Sequence, residues 1–264
     1  MSLENICLNP VGHVVSSIKI SREMPAGGVP AAIEILPQYE SALLRIEENS
    51  HIWILSWFHQ SDRNKLVTPP GVNHDLPEYG VFALRSASRP NPIAISIAKL
   101  LKREGNRLIL DKLDAVDNTP VIDIKPYFEN DIIFSPRTSY IPGNNREYRQ
   151  NQMLRRAIAH HQEECLHLQL AVRMAMVAEE IFGHLNNPDL NVSVRGSACL
   201  ADTIQGLSRA RLANPPRFSF VPSITVQQTN WDLADKGTLT LTWLGQSDFM
   251  ELADEDFLNI DFEN

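Results

Sequence analysis

Two apolar segments joined by a tight turn dominate the first half of the chain. Ile93, Ile95 and Ile97 alternate with small residues, which is the two-residue period of a half-buried strand. After a turn at 104–106, the segment RLILDKL (107–113) returns as the antiparallel partner. Because an isolated hairpin is only marginally stable, this pair requires further strands beside it.

Several other segments supply those strands. Stretches at 11–20, His51–Trp57, 80–85 and 121–125 are short, apolar or β-branched, and bounded by Gly, Pro or polar residues. A short helix is expected at 36–48. Many short strands with frequent turns predict a mainly β N-terminal domain, a small barrel or sandwich.

The second half of the chain changes to a helical pattern. Apolar residues recur every three or four positions along 166–182, which marks one face of a helix. A strand at 192–194, a helix at 198–207 and a strand at 238–244 follow, so an α+β domain is expected. The stretch 139–150 is rich in Pro, Gly and Asn and is the predicted linker. The expected organisation is a β domain at 1–138, this linker, and a second domain at 151–264.

Charge and cysteine content narrow the function classes. The chain has 24 Lys and Arg against 32 Asp and Glu, a net charge of -8, which excludes a generally basic nucleic-acid-binding coat. Three cysteines do not make a disulfide framework, so a reducing cytoplasm is the expected location. No apolar run approaches the roughly 20 residues of a membrane span. We therefore expect a soluble, cytoplasmic protein without a membrane partner.

The densest chemical signal is the loop after residue 84. Arg85 and Arg89 flank a short stretch in which Pro90 and Pro92 fix the backbone and Asn91 offers an amide. A stiff loop that presents guanidinium groups suits a carboxylate or a planar heterocycle. A structural turn with surface arginines is the alternative.

A second group of polar residues follows the hairpin. Asp114, Asp117 and Asp123 fall within ten residues of one another, and strand alternation puts Asp123 and Lys125 on one face. His59 stands just after the apolar segment at 51–57, where a histidine can act as a base or a ligand contact, or simply as a structural residue.

Together these segments resemble the TsaA-like, or class VIII, S-adenosylmethionine-dependent methyltransferases, whose best-known members methylate threonylcarbamoyladenosine in tRNA. The similarity covers residues 11 to 131. The matching segments are SHIWIL (50–55) with FHQ (58–60), GVFA (80–83) with Arg85-Ser86, RPNPI (89–93), and LD (113–114) followed by TPVIDIKPY (119–127).

The resemblance implies a small β-barrel, not a Rossmann fold, that forms a homodimer and binds S-adenosylmethionine near the subunit interface. The residues that it implies for the cofactor site are Arg85, Ser86, Arg89, Pro90, Asn91, Pro92, Ile93, Asp114, Asp117 and Thr119. The chain departs from the family pattern at Ala94 and Asn118, where the family has Gly. Thr68 stands where the tRNA-modifying relatives commonly carry Arg.

The reaction sets what further groups are needed. Methyl transfer from a sulfonium is an in-line displacement, so the protein mainly aligns the acceptor, and a base is needed only if the acceptor holds its proton tightly. His59, Asp123 and Tyr127 are the candidate catalytic residues. Lys125, Arg146 and Arg149 are the candidate substrate-binding residues, with a solvated helix start as the alternative for the two arginines.

The second half is similar to the N-terminal domain found in one of the formylmethanofuran dehydrogenase proteins. Carried over, the metal ligands of that family are His161, Cys165 and Cys199, a donor set that suits zinc. Glu163 stands where that family has a second His, and His160 competes with His161. Buried core cysteines are the alternative.

Three functions therefore stand beside one another. The first is methylation of threonylcarbamoyladenosine in tRNA. The second is methylation of a small molecule held by the C-terminal domain with its metal. The third is a protein that binds S-adenosylmethionine without catalysis.

Overall fold

The computed structural model describes residues 6–264. The chain divides into two compact units, one that ends at Ile132 and one that begins at Ile133. The first unit is mainly β and the second combines helices with one sheet.

Six antiparallel strands of the first unit close into a barrel, and its mainly β fold confirms the prediction. The order around the barrel is β1-β2-β7-β6-β3-β8. The strands are β1 (Gly12–Ser16), β2 (Val29–Ile35), β3 (His51–Trp57), β6 (Ile93–Glu104), β7 (Arg107–Leu113) and β8 (Pro120–Pro126), and β4 (Val67–Thr68) pairs with β5 (Tyr79–Gly80) in a separate ribbon.

Alternation of side chains fills the barrel interior. Ile52 and Ile54 of β3 pack inside with Leu108 and Leu110 of β7, and all four are buried. Register shifts occur in β3–β8 after Leu55 and in the hairpin of β6 and β7 after Leu100. Such irregularities increase the local twist that a closed barrel needs.

Two segments of the first unit differ from expectation. The stretch 80–85 is not a strand beyond Gly80, because Val81–Ala83 forms a 3₁₀ turn that buries Val81. The helix expected at 36–48 is two 3₁₀ segments, Pro37–Leu43 and Ile46–Glu48, separated by Arg45 in the left-handed region. Further 3₁₀ turns lie at Ser21–Glu23 and Glu129–Asp131.

The second unit packs three helices on a five-stranded sheet. The helices are α1 (Arg146–His161), α2 (Leu166–Phe182) and α3 (Ala198–Ser208), and the short α4 (Asp254–Phe257) precedes the last strand. The strands are β9 (Asn191–Gly196), β10 (Phe218–Pro222), β11 (Gln228–Leu233), β12 (Gly237–Trp243) and β13 (Leu258–Glu263), in the order β10-β9-β11-β12-β13. The core between helices and sheet includes the fully buried Trp231 and most of α2.

The segment before α1 belongs to the second unit. Ser135 Oγ donates to the carbonyl of Arg209, and the Asn186 side chain donates to the carbonyl of Pro136. Helix α1 starts at Arg146, capped by the Asn145 side chain, so residues 146–150 of the expected linker are helical. Within residues 6–264, no helix is long and apolar enough to cross a membrane.

Candidate functional site

The barrel topology gathers three loops at one rim. There β1, β3 and β7 end and β2, β6 and β8 begin, because neighbouring strands run antiparallel. The loops 17–28, 58–92 and 114–119 therefore lie at the same end of the barrel. All the residues implied for the cofactor belong to this rim or to the first residue of a strand that starts there.

Arg89 organises the proline-containing loop. Its Nε donates to the carbonyl of Ser86 at 2.8 Å, and its terminal nitrogen donates to the carbonyls of Val81 and Leu84. One guanidinium thus ties together three backbone groups of the preceding turn. Arg85, on the same loop, is exposed. The two arginines that the sequence treats alike therefore differ, since Arg89 is held internally and Arg85 faces solvent.

The loop between β7 and β8 is fixed by its own polar residues. Asp117 Oδ1 accepts from the backbone amide of Ser16, and Asn118 adopts a φ of 61°, which asparagine tolerates where the family carries Gly. Asp114 accepts from Ser96 Oγ at 2.8 Å. Thr119 is fully buried, and its Oγ1 has no hydrogen-bond partner among the described residues. A buried unpaired hydroxyl at this rim is suited to a bound polar group.

His59 lies beside the proline-containing loop. The amide of the preceding Phe58 donates to the carbonyl of Pro92 at 2.8 Å, and the side chain of the following Gln60 donates to the carbonyl of Lys19. The exposed His59 is thus held between two rim loops.

The other two catalytic candidates lie elsewhere on the barrel. Asp123 pairs with Leu55 in the middle of β3, and the amide of Tyr127 donates to the carbonyl of His51 at the far end of that strand. A seven-residue strand spans about 20 Å, so His59 and Tyr127 sit at opposite rims of one barrel. Lys125 forms an exposed ion pair with Asp123 at 2.7 Å.

An apolar stripe runs along the outer face of the same region. Ile93, Ile95 and Ile97 of β6 are each 40–51% exposed, and their β3 partners in register are Trp57, Leu55 and Trp53. The Trp53 indole donates to Asp131 at 3.0 Å, and this bond lowers the pKa of the Asp131 carboxyl.

In the second unit, three predicted metal ligands come together. The donor atoms of His161, Cys165 and Cys199 lie within 4.8 Å of one another, and His161 Nε2 is 3.7 Å from Cys165 Sγ. Tetrahedral zinc with the usual bond lengths separates a nitrogen and a sulfur ligand by about 3.6 Å. The donor set and its spacing fit zinc. Burial, followed by the Cys165 thiol, raises the pKa of Cys199.

The two arginines expected to contact substrate are paired with carboxylates instead. Arg146 binds Glu180 at 2.7 Å and Asp254, and Arg149 binds Glu179 and Glu180 at 3.3 Å each. These ion pairs tie α1 to α2 and α4.

The comparisons with known proteins concern mainly the barrel. Residues 16–131 match the tRNA-methyltransferase O N-terminal domain. An S-adenosyl-L-methionine-binding protein of Archaeoglobus fulgidus is 42% identical over 125 residues, which are 46% of this chain and 88% of that protein. The chain belongs to this family of methyltransferase domains.

Two further family relatives differ in how much of the chain they cover. A probable S-adenosyl-L-methionine-binding protein of Archaeoglobus fulgidus is 35% identical over 219 residues, 78% of this chain, and the match spans only 59% of its length. The tRNA (adenine(37)-N6)-methyltransferase of Mus musculus is 45% identical over 91 residues, 33% of this chain and 21% of that protein. The first match is longer than the barrel unit and so includes part of the second.

The family match holds every rim residue, whereas the zinc ligands lie outside it. Sequence reasoning missed Asp202, whose carboxylate lies 2.7 Å from Nδ1 of His161 and 3.2 Å from Nε2 of His160. Its spacing of three from Cys199, one helical turn, was the available signal.

Proposed function

We propose that this chain is an S-adenosylmethionine-dependent methyltransferase whose cofactor binds at the barrel rim formed by loops 17–28, 58–92 and 114–119. The observation that carries the proposal is the convergence at one rim of the loops that hold Arg85, Asn91, Asp114 and Thr119. Membership of the family and the names of the relatives support it.

The rim residues offer groups that fit this cofactor. The exposed Arg85 guanidinium suits its carboxylate, and the carboxylates of Asp114 and Asp117 suit hydroxyl or ammonium groups. The orphaned hydroxyl of Thr119 would gain a partner. When bound, S-adenosylmethionine supplies a methyl group already activated by its sulfonium.

The chain's own part in the reaction is alignment and proton removal. Arg89 holds the 81–86 turn in place, which keeps Arg85 and Asn91 at the rim. His59, next to the bonded pair Phe58–Pro92, is the residue we assign as base toward the acceptor nitrogen. Asp123 and Tyr127 are too far along the barrel to serve the same site from the same copy.

Adenosine in tRNA, carrying the threonylcarbamoyl group, is the acceptor that we favour. The family description and the name of the mouse relative support a tRNA substrate. Arg146 and Arg149 do not enter this proposal, because their charges are already neutralised within the second unit.

A homodimer through the outer stripe of β6 belongs to the same proposal. Three exposed isoleucines in a row beside two tryptophans form an apolar surface that gains from being covered. A second copy would also bring another Asp123 and Tyr127 to the interface.

A small-molecule acceptor held by the second unit is the second candidate. The observation that favours it is the His161, Cys165 and Cys199 cluster. A zinc ion there would supply Lewis acidity, and the three side chains would hold it.

The test is a partition assay with methyl-labelled S-adenosylmethionine, with and without a chelator. The acceptor pools are bulk tRNA and a nucleic-acid-free metabolite extract. We expect label in tRNA, insensitive to chelator, lost in His59→Gln and retained in Arg107→Ala at the opposite rim. Label confined to the metabolites and lost with chelator would favour the second candidate. Cofactor binding without label in either pool would leave a binding protein.

A further inference from the structure

The second unit contains a cavity of about 580 Å³ where β9 passes into α3. Its walls include Gly196 and Ser197 from that junction, His167 from the first turn of α2, and Trp243 at the end of β12. This volume is in the range of small-molecule sites. The family match does not reach these residues.

The cavity shares its wall with the metal-ligand cluster. Ala198 lines the cavity and directly precedes Cys199, and His167 lines it two residues after Cys165. Adjacent Cα atoms are about 3.8 Å apart, so the starts of α2 and α3 contribute both to the cavity and to the donor set.

The floor of the cavity is rigidly constructed. Gln227 is 6% exposed, and its side-chain oxygen accepts from the amide of Ser197 at 2.8 Å. A Cβ at Gly196 would lie 2.5 Å from that oxygen, so glycine is required for Gln227 to take this position. The cavity is therefore part of the fold and not a gap between loose side chains.

The mouth of the cavity is apolar and planar. The Trp243 indole is fixed by donation to the carbonyl of Gln246 and has the His167 ring edge-on at 6.2 Å. Ile224 is 99% exposed and Leu244 55% exposed, so both would lose water contact when a ligand enters. These surfaces favour a flat apolar body over a sugar or a phosphate.

We propose that this cavity binds a small molecule with a planar apolar body and one oxygen, nitrogen or sulfur donor directed at the metal-ligand cluster. The donor part rests on the zinc proposed above, since three protein ligands leave one position of a tetrahedral ion open. The apolar part rests on the cavity alone. The site makes the second unit a ligand-binding domain with a specificity of its own.

Two hydroxamates of different size test the proposal by calorimetry on the full zinc-loaded chain. Benzohydroxamate carries the ring and the donor, whereas acetohydroxamate carries the donor alone. We expect benzohydroxamate to bind about tenfold more tightly, a preference that ring contact with Trp243 and Ile224 would produce. Ile224→Asp should remove the preference without unfolding, because that side chain is fully exposed. Ile260→Asp, on an exposed position of β13, is the matched control.

Equal affinity for the two hydroxamates, or a preference unchanged in Ile224→Asp, would overturn the cavity assignment. Zinc retention is measured separately, by metal analysis after dialysis. If zinc is not retained, the donor part fails, and benzamide then probes the cavity by ligand-observed NMR. Benzamide binding that Ile224→Asp abolishes would support the apolar part, and absence of benzamide binding would overturn it.

Discussion

The carboxylate of Asp202 joins two neighbouring histidines, with Oδ2 2.7 Å from Nδ1 of His161 and Oδ1 3.2 Å from Nε2 of His160. Because a carboxylate only accepts, Nδ1 of His161 carries the proton and Nε2 is left as a ligand atom facing Cys165. The competition between the two histidines that the sequence left open is thereby decided in favour of His161.

Asp202→Asn should weaken zinc binding about 10- to 100-fold, as loss of an orienting carboxylate typically does. Competition with a chromophoric chelator measures it. Glu164→Gln, an exposed carboxylate on the same loop, is the control and should keep the wild-type affinity. Equal affinities in both variants would mean that Asp202 does not orient the ligand.

Cys199→Ser should abolish high-affinity zinc binding, whereas Cys7→Ser should not, because Cys7 is exposed and lies outside the second unit. Zinc at 100 times its dissociation constant stabilises a folded domain by about 2.7 kcal/mol. Thermal melting with and without zinc should therefore show a stabilisation in wild type and Cys7→Ser that Cys199→Ser lacks. A stabilisation retained by Cys199→Ser would place the ion elsewhere.

Arg85→Ala and Arg89→Ala should separate cofactor contact from loop construction. Arg89→Ala leaves the carbonyls of Val81, Leu84 and Ser86 without their donor, which should lower stability by about 1–3 kcal/mol and weaken S-adenosylmethionine binding. Arg85→Ala should weaken cofactor binding without changing the melting temperature. Calorimetry and thermal melting check both, and unchanged affinity in both variants would remove the rim from the cofactor site.

The barrel could be predicted from period-two alternation because each of its strands has one face inside. The turn at Val81–Ala83 could not, since its backbone is held by Arg89, eight residues from Val81 along the chain. The metal ligands were found by residue type, but Asp202 was not, because its role depends on how α3 packs against the end of α1. The pairing of Arg146 with Asp254 spans 108 residues and leaves no local signal.

Glu179 should make stability depend on pH. Burial raises its pKa, and the nearby Arg149 and Arg156 oppose the shift. A carboxyl with a raised pKa in the folded state contributes most below its unfolded pKa, and stability falls as pH rises through its folded pKa. Glu179→Gln should flatten this fall above the model-peptide pKa of 4.5, and Arg149→Gln should steepen it. Melting temperatures across pH test both signs, and shifts in the same direction would contradict the assignment.

His59→Gln should reduce kcat by about 10²–10⁴-fold if His59 removes the proton from the acceptor, with little change in S-adenosylmethionine affinity. The ring stands between two bonded contacts, Phe58 to Pro92 and Gln60 to Lys19, so replacing it leaves the rim loops in place. Asp123→Asn and Tyr127→Phe distinguish a base supplied by a second copy. Mixing either of them with His59→Gln restores activity only if one active site takes residues from both copies. A full loss in His59→Gln that mixing does not restore would keep the base and the cofactor rim in one barrel.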